Sequence, residues 1–166
     1  MKAVDNFTEE LREWLHYDPG TGLFSWAKRG KKRTVGARCG SLLSNGYTRI
    51  CVNQVEFLGH RLAWWMFWGV PPEFDIDHIN GVRSDNRIYN LRDVPHQMNR
   101  QNMRKATAGN RCGFLGVDLN KKSGKFRARI KLPGDIVMNL GEFSDPAVAH
   151  EAYLAAKREF HVGCTL

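Results

Sequence analysis

The stretch Asp75-Ile76-Asp77-His78-Ile79-Asn80-Gly81 places a carboxylate and an imidazole side by side, just before a turn-forming Asn-Gly pair. Adjacent side chains of a strand point to opposite faces, so Asp77 and His78 can address two different partners. An Asn-rich loop can close such a unit through side-chain to backbone hydrogen bonds, and a following helix can return another polar group. Two runs of this kind follow, Asp85-Asn86-Arg87-Ile88-Tyr89-Asn90-Leu91 and His96-Gln97-Met98-Asn99-Arg100-Gln101-Asn102.

These residue types suit the hydrolysis of a phosphodiester. That reaction needs a base to activate water, a cation to neutralise developing charge, and a scaffold that fixes both. A neighbouring Asp and His can divide the first two tasks. A single histidine is more typical of a hydrogen-bonded structural residue, so the hypothesis depends on the whole constellation.

The residues before this site predict a helix and several short strands. Phe7, Leu11, Trp14 and Leu15 follow a helical spacing, which predicts an amphipathic helix from Phe7 to His16. A strand at Leu23–Trp26, a hairpin over Tyr47–Leu58 with its turn at Asn53-Gln54, and an apolar helix at His60–Trp68 are also predicted. Between them, residues 28–38 hold six cations and no acid, which fits either a solvated loop or one that follows phosphates.

Basic residues continue after the site. Residues 100–111 contain Arg100, Arg104, Lys105 and Arg111 without an acid, and predict a basic connector. From Gly113 onward the pattern indicates three strands and one helix. Cationic and apolar residues alternate there, so a strand would place on one face Lys125, Arg127, Arg129 and Lys131. The helix is expected to begin with Ser144 as N-cap and to bury Ala149, Ala152, Tyr153, Ala156 and Phe160.

Length and composition set the outer limits. The chain has 166 residues and a formal net charge of +8, enough for one domain or two small ones and suggestive of a polyanionic partner. No apolar run is long enough for a membrane span or a signal peptide, so we expect an intracellular, cytoplasmic protein without a membrane partner. The cysteines are widely spaced, which predicts four reduced thiols rather than a zinc knuckle or disulfide framework.

The segment from Tyr47 to Asn102 resembles the His-Asn-His (HNH) endonuclease family. The resemblance rests on the runs His60–Ala63, Asp77–Gly81 and Asp85–Leu91, with Asn99 on the presumed helix. It implies a ββα-metal module that grips one divalent ion. By this resemblance His78 is the general base, Asn90 braces the loop and orients the base, and Asp77 and Asn99 ligate the ion.

The third family position is often a histidine, whereas this chain has Asn99 there. Two oxygen ligands favour Mg²⁺ or Mn²⁺ over Zn²⁺. Asn80 and Asn86 are interpreted as turn and cap residues. His60 either orients a phosphate or is simply buried beside the tryptophan-rich helix.

The segment from Gly113 to Gly163 resembles the Apetala/ethylene-response-factor DNA-binding domain. The matching residues are Gly116-Val117, Gly124-Lys125-Phe126, Ala128, Ile130, Leu140-Gly141, Phe143 and the helix Ala149-x-x-Ala152-Tyr153-x-x-Ala156. The resemblance implies a three-stranded sheet lying in the major groove. Arg127 and Arg129 would contact guanine edges, and the lysines would contact phosphates. Asp118 departs from the family, where a basic residue is usual.

Together these features predict an α+β chain: an N-terminal segment (1–46), an HNH ββα-metal nuclease (47–103), a basic linker (104–112), and a three-stranded antiparallel sheet packed on one helix (113–166). The predicted function is a homing or nicking DNA endonuclease of phage or mobile-element type, acting on double-stranded DNA as a monomer or homodimer. Predicted DNA contacts are Arg100, Arg104, Lys105, Lys125, Arg127, Arg129 and Lys131. The alternative is a non-catalytic, sequence-specific DNA-binding regulator.

Overall fold

The computed structural model describes residues 6–166, which fold as two compact units. The first unit ends at Pro95 and the second runs from His96 to Leu166. Each mixes short helices with small antiparallel sheets, so the α+β class is confirmed. The boundary falls before the helix that carries Asn99, so this helix belongs to the second unit.

The first unit holds eight strands and two helices in its described part. Their bounds are α1 Glu10–Trp14, β1 Leu15–Asp18, β2 Leu23–Trp26, β3 Arg38–Cys39, β4 Ser41–Leu42, β5 Thr48–Val52, β6 Val55–Leu58, α2 Gly59–Trp68, β7 Asp75–His78 and β8 Leu91–Val94. They form two three-stranded sheets, β1-β2-β3 and β4-β5-β6, and the hairpin β7-β8.

The first helix is shorter than its periodicity predicted. It ends at Trp14, and Leu15 begins β1, which pairs antiparallel with β2. Leu15 and Tyr17 are buried while His16 between them is exposed, an alternation with the period of a strand. The prediction of a helix reaching His16 was therefore wrong, because pairing with the strand Leu23–Trp26 determines the backbone of these residues.

The hairpin and the apolar helix of the first unit are confirmed. Asn53 and Gln54 both adopt positive φ, as the two-residue turn between β5 and β6 requires. The helix α2 ends at Gly69, whose φ is 76°. It does not bury every side, because Phe67 and Trp68 are 44% and 55% exposed. Leu62, Ala63 and Trp65 on its other side enter the core.

The basic loop between β2 and β3 is held by aromatic rings. The guanidinium of Arg33 lies 4.4 Å from the ring centroid of Trp26 and 5.0 Å from that of Trp14. Such cation–π contacts restrain the middle of the loop. Lys31 and Lys32, just before Arg33, are exposed.

The second unit is a sheet covered by one long helix, preceded by a short helix. Its elements are α3 His96–Gln101, β9 Val117–Leu119, β10 Phe126–Lys131, β11 Val137–Phe143 and α4 Pro146–Phe160. All pairing is antiparallel, and β10 is the central strand. Ala128 and Ile130 of β10 are buried and share a core cluster with residues of α4, as the alternation predicted.

Two details of α4 differ from the sequence prediction. The N-cap is Asp145, whose carboxylate accepts a hydrogen bond from the backbone amide of Ala147, rather than Ser144. Phe160, expected in the buried stripe, is 36% exposed, whereas Lys157 is 1% exposed and donates to the Met103 carbonyl. A lysine can bury its stem where its ammonium finds a carbonyl, so hydropathy alone misassigned this face.

A close approach explains Gly116 of the second unit. A Cβ there would lie 2.1 Å from the Tyr153 ring, and its φ is 77°.

Among residues 6–166, no helix has the length and apolar character needed to cross a bilayer. The four cysteines are free thiols, as predicted.

Candidate active site

Asp77 and His78 lie at the end of β7, in the antiparallel hairpin with β8. They are buried, with exposures of 6% and 4%. Asp77 faces Arg92 across the hairpin, and its Oδ2 accepts hydrogen bonds from Arg92 Nε at 2.9 Å and Nη2 at 2.7 Å. Charge-assisted bonds of this kind are short and fix the orientation of the carboxylate. The sequence analysis did not single out Arg92.

The His78 ring is oriented by polar and aromatic neighbours. Its Nε2 lies 3.3 Å from Asn86 Oδ1, and its ring centroid lies 5.2 Å from that of His60 and 5.9 Å from that of Tyr47. Burial lowers the pKa of the imidazole below its ordinary value, although the contact with Asn86 and the charges of Asp77 and Asp85 act in the opposite direction. His78 therefore favours the neutral form that a general base requires.

Asn90 braces the loop between β7 and β8. Its Oδ1 accepts from the Asn80 backbone amide at 2.9 Å, its Nδ2 donates to the Asp85 carbonyl at 2.8 Å, and its own carbonyl accepts from the Ile79 amide at 2.8 Å. A single asparagine at the end of the loop thus contacts both the start and the middle of the loop. These contacts agree with the bracing expected of this residue, and its catalytic role stays a prediction.

Asn86 contacts the His78 ring directly, although the sequence analysis assigned it only a turn or cap role. It is 1% exposed, and its carbonyl accepts a hydrogen bond from the Tyr17 hydroxyl at 2.7 Å. Gly59 packs against its amide, where a Cβ would lie 2.9 Å from Nδ2. In the sequence, Asn86 is only an uncharged polar residue in a charged loop. That pattern does not distinguish a capping residue from a buried residue that contacts the His78 ring.

The backbone of the turn between β1 and β2 packs closely against the loop between β7 and β8. A Cβ on Gly22 would lie 2.4 Å from the Arg87 amide nitrogen, and the Gly22 φ is 72°. The Pro19 carbonyl accepts from the Ile88 amide at 3.1 Å. The turn after β1 therefore fits against residues 86–88 only because position 22 has no side chain.

Asp85 is committed to the structure of the loop. Its carboxylate accepts from Arg87 Nη2 at 2.6 Å and from Asn80 Nδ2 at 2.7 Å. The hydrogen bonds from Arg87 are the main cause that lowers the pKa of Asp85 to about 2. Asp85 is thus an ionised structural group rather than a proton donor.

His60 was expected either to orient a phosphate or to be buried. It is 5% exposed, and its Nδ1 has no hydrogen-bond partner among the described residues. Burial lowers its pKa to about 3, and the neighbouring charges of His78 and Arg61 act in the same direction. His60 packs as a neutral ring beside His78, so burial describes it better.

The other predicted site residues lie in the second unit. Asn99 and Arg100 are on α3, and Arg104, after that helix, donates to the Thr165 hydroxyl at 2.8 Å. Lys105 is exposed. On β10, Arg129 and Lys131 are exposed and Arg127 is half-buried, and Lys125 precedes the strand as another exposed cation. The roles of these residues in metal or DNA binding remain predictions.

The side chains of the described residues form no protein cage for a metal ion. Among residues 6–166, no group of three or more His, Cys, Asp or Glu side chains could hold a metal ion. Mg²⁺ is commonly bound by one or two carboxylates while waters and substrate phosphates complete its shell. A single carboxylate such as that of Asp77 is compatible with this mode of binding, whereas a structural zinc site would need four protein ligands.

Residues 57–101 match the profile of a family described as HNH endonuclease. The match includes α2, Asp77, His78, Asn86, Asn90 and α3, and it supports a nuclease with DNA as its substrate class. No curated protein and no solved structure matches the chain.

Proposed function

We propose that this chain is a metal-dependent DNA endonuclease in which His78 is the general base. The observation that carries the proposal is the buried Asp77-His78 pair at the end of β7, inside the segment that matches HNH endonucleases. DNA binding alone requires neither a buried ion pair nor a neutral imidazole beside it. A non-catalytic regulator therefore accounts for this arrangement less well.

In this proposal His78 takes a proton from the water that attacks phosphorus. Because Asn86 Oδ1 is a hydrogen-bond acceptor, the ring nitrogen next to it, Nε2, carries the proton of the neutral tautomer. Nδ1 is then the basic nitrogen. Asn86 keeps the ring in one tautomer and orientation, while Asn90 keeps the loop that carries Asn86 closed.

Asp77 would hold the divalent ion, with Asn99 of the second unit as the other predicted ligand. When bound, Mg²⁺ or Mn²⁺ would supply positive charge where negative charge develops on the phosphate and on the departing oxygen. The two hydrogen bonds from Arg92 restrict the rotation of the Asp77 carboxylate. The oxygen chemistry of both residues supports these two ions over Zn²⁺.

We further propose that the second unit binds double-stranded DNA. Its support is the alternation on β10, which turns cations outward while Ala128 and Ile130 pack against α4. A nuclease joined to a DNA-reading sheet is the composition expected of a homing or nicking enzyme of a phage or mobile element. The cations proposed to contact DNA are Arg100, Arg104, Lys105, Lys125, Arg127, Arg129 and Lys131.

The test is cleavage of supercoiled plasmid by the full chain with Mg²⁺ or Mn²⁺, with and without chelator. We expect nicked or linear product that chelator abolishes. His78→Ala should lower the rate by about 100-fold or more, which is the usual contribution of a general base. His16→Ala, which removes an exposed histidine of the same unit, should cleave normally.

Two results would contradict the proposal. Near-normal cleavage by a folded His78→Ala protein would show that another group activates water. A wild-type chain that binds plasmid but cuts it with neither ion would instead favour the regulator.

A further inference from the structure

On the outward face of the second unit the acid Asp118 lies beside two arginines, and a second acid, Glu142 on β11, lies opposite Arg127 on its other side. Asp118 on β9 lies directly opposite Arg127 on β10, and Arg129 follows two residues later on the same strand. Asp118 Oδ2 accepts from Arg127 Nη2 at 2.8 Å. Its Oδ1 accepts from Arg129 Nε at 2.9 Å, and Arg129 Nη2 lies 2.8 Å from the same oxygen as an ion pair. One carboxylate therefore engages both guanidinium groups.

The contact with Arg129 uses a particular edge of the guanidinium. Nε and Nη2 lie along its side, where Nε donates to Asp118 Oδ1 and Nη2 forms an ion pair with the same oxygen. A guanidinium has five N–H donors in a rigid plane, so the end formed by Nη1 and Nη2 keeps donors directed away from the carboxylate. Two parallel donors at that end match the O6 and N7 acceptors of guanine.

Stability does not explain this cluster well. The side chains of Asp118, Arg127 and Arg129 are 37%, 31% and 43% exposed, and ion pairs this exposed contribute little to folding. A carboxylate on a DNA-binding face also repels phosphates. Restriction of the Arg127 and Arg129 side chains gives the Asp118 carboxylate a role on this face, because an arginine that is already ordered loses less conformational entropy when it binds.

We propose that Asp118 is a specificity-determining positioning residue, which holds Arg129 and Arg127 in the orientation that contacts guanine in the major groove. This inference rests on the proposed DNA binding of the second unit. Asp118 then has two opposite effects on binding. It strengthens binding to sites with guanine at the contacted positions, and it weakens binding to all other duplexes through repulsion.

The experiment measures these two effects separately with the full chain in chelator, so that DNA stays intact. The wild-type chain first selects its preferred duplex from a randomised library, and dissociation constants follow for that duplex and a scrambled one. Asp118→Asn should bind the scrambled duplex about two- to fivefold more tightly, because one repulsive charge is removed. Its ratio of scrambled to preferred dissociation constants should fall by roughly tenfold, the value of one good bidentate base contact.

Asp135→Asn is the matched control. Asp135 pairs with Lys131 at 2.7 Å and is 83% exposed, so this substitution makes the same change in charge in the same unit. Position 135 has a φ of 62°, which asparagine tolerates well. This variant should also bind scrambled DNA more tightly, but its selectivity ratio should stay close to that of the wild type.

Replacing the selected guanines by 7-deazaguanine supplies a readout that a purely structural role would not change, since this base lacks the N7 acceptor. The wild type should lose affinity on the modified duplex, and Asp118→Asn should lose much less. Equal losses, or a selectivity ratio in Asp118→Asn within twofold of the wild-type ratio, would overturn the role of Asp118 alone. A wild-type chain that selects no sequence would overturn the sheet as reader and this role with it, whereas plasmid cleavage tests the nuclease independently.

Discussion

Acidification should destabilise the first unit through His60, and the structure supplies the size of the effect. The ring is 5% exposed and its pKa is lowered to about 3, so the folded unit disfavours the protonated form. In the unfolded chain the pKa returns to about 6.5. The stability that the neutral His60 ring contributes is therefore fully present above pH 6.5, and it is lost as the pH falls toward the pKa of the folded state. Between pH 7 and pH 5 the linked loss is about 2 kcal/mol.

Urea denaturation followed by tryptophan fluorescence can measure this loss in the full chain. All five tryptophans lie before residue 95, so their emission reports the first unit. His78 adds a loss of the same sign, because burial lowers its pKa as well. The substitution His60→Phe removes only the contribution of His60. Between pH 7 and pH 5, the free energy of unfolding of this variant should therefore fall by about 2 kcal/mol less than that of the wild type.

His16→Phe is the control for this measurement, since it removes an exposed histidine and should keep the full acid-induced loss. The reasoning would be refuted if His60→Phe and the wild type lost the same free energy between pH 7 and pH 5. That result would mean that His60 is protonated as easily in the folded chain as in the unfolded one.

Two further substitutions test the support of the base and the metal ligands. Tyr17→Phe removes the buried donor to the Asn86 carbonyl and should cost about 1–2 kcal/mol of stability. It should lower kcat for plasmid cleavage more than it changes KM, and an unchanged kcat would show that the His78 orientation does not depend on this bond. Asn99→Ala should raise the Mn²⁺ concentration for half-maximal cleavage by about tenfold or more, as loss of metal-site partners does. An unchanged metal dependence would remove Asn99 from the ligand set.

Local patterns predicted the elements in which each face has one environment, either core or solvent, along the whole element. On β10, alternation of cations with Phe126, Ala128 and Ile130 was enough, because one face packs on α4 and the other meets solvent. The Asn53-Gln54 turn was also predictable, because β-branched and aromatic residues flank it on both sides, although Gln54 is an unusual residue for a positive φ. Each of these features depends on neighbours within a few residues.

Contacts between distant residues account for the failures. Leu15 and His16 fit a helix in isolation, yet pairing with Trp26 and Ser25 makes them a strand. Lys157 is buried because a carbonyl 54 residues away accepts a hydrogen bond from its ammonium group. The ion pairs of Asp118 similarly join two strands, so the sequence indicated an unusual acid there without showing what it binds.

The support of the proposed base also comes from outside the segment that resembles a nuclease. The family match begins at residue 57, but the Tyr17 hydroxyl holds the Asn86 backbone and the turn at Gly22 packs against Arg87. The contact of 3.3 Å between His78 and Asn86 is weak by itself, so the position of the Asn86 backbone matters for how well this contact orients the ring. Fixing the Asn86 backbone from the other side makes that contact effective. The residues before Tyr47, which were predicted to form a separate N-terminal segment, therefore contribute to the physical basis of the candidate site, because they support the loop that contacts the proposed base.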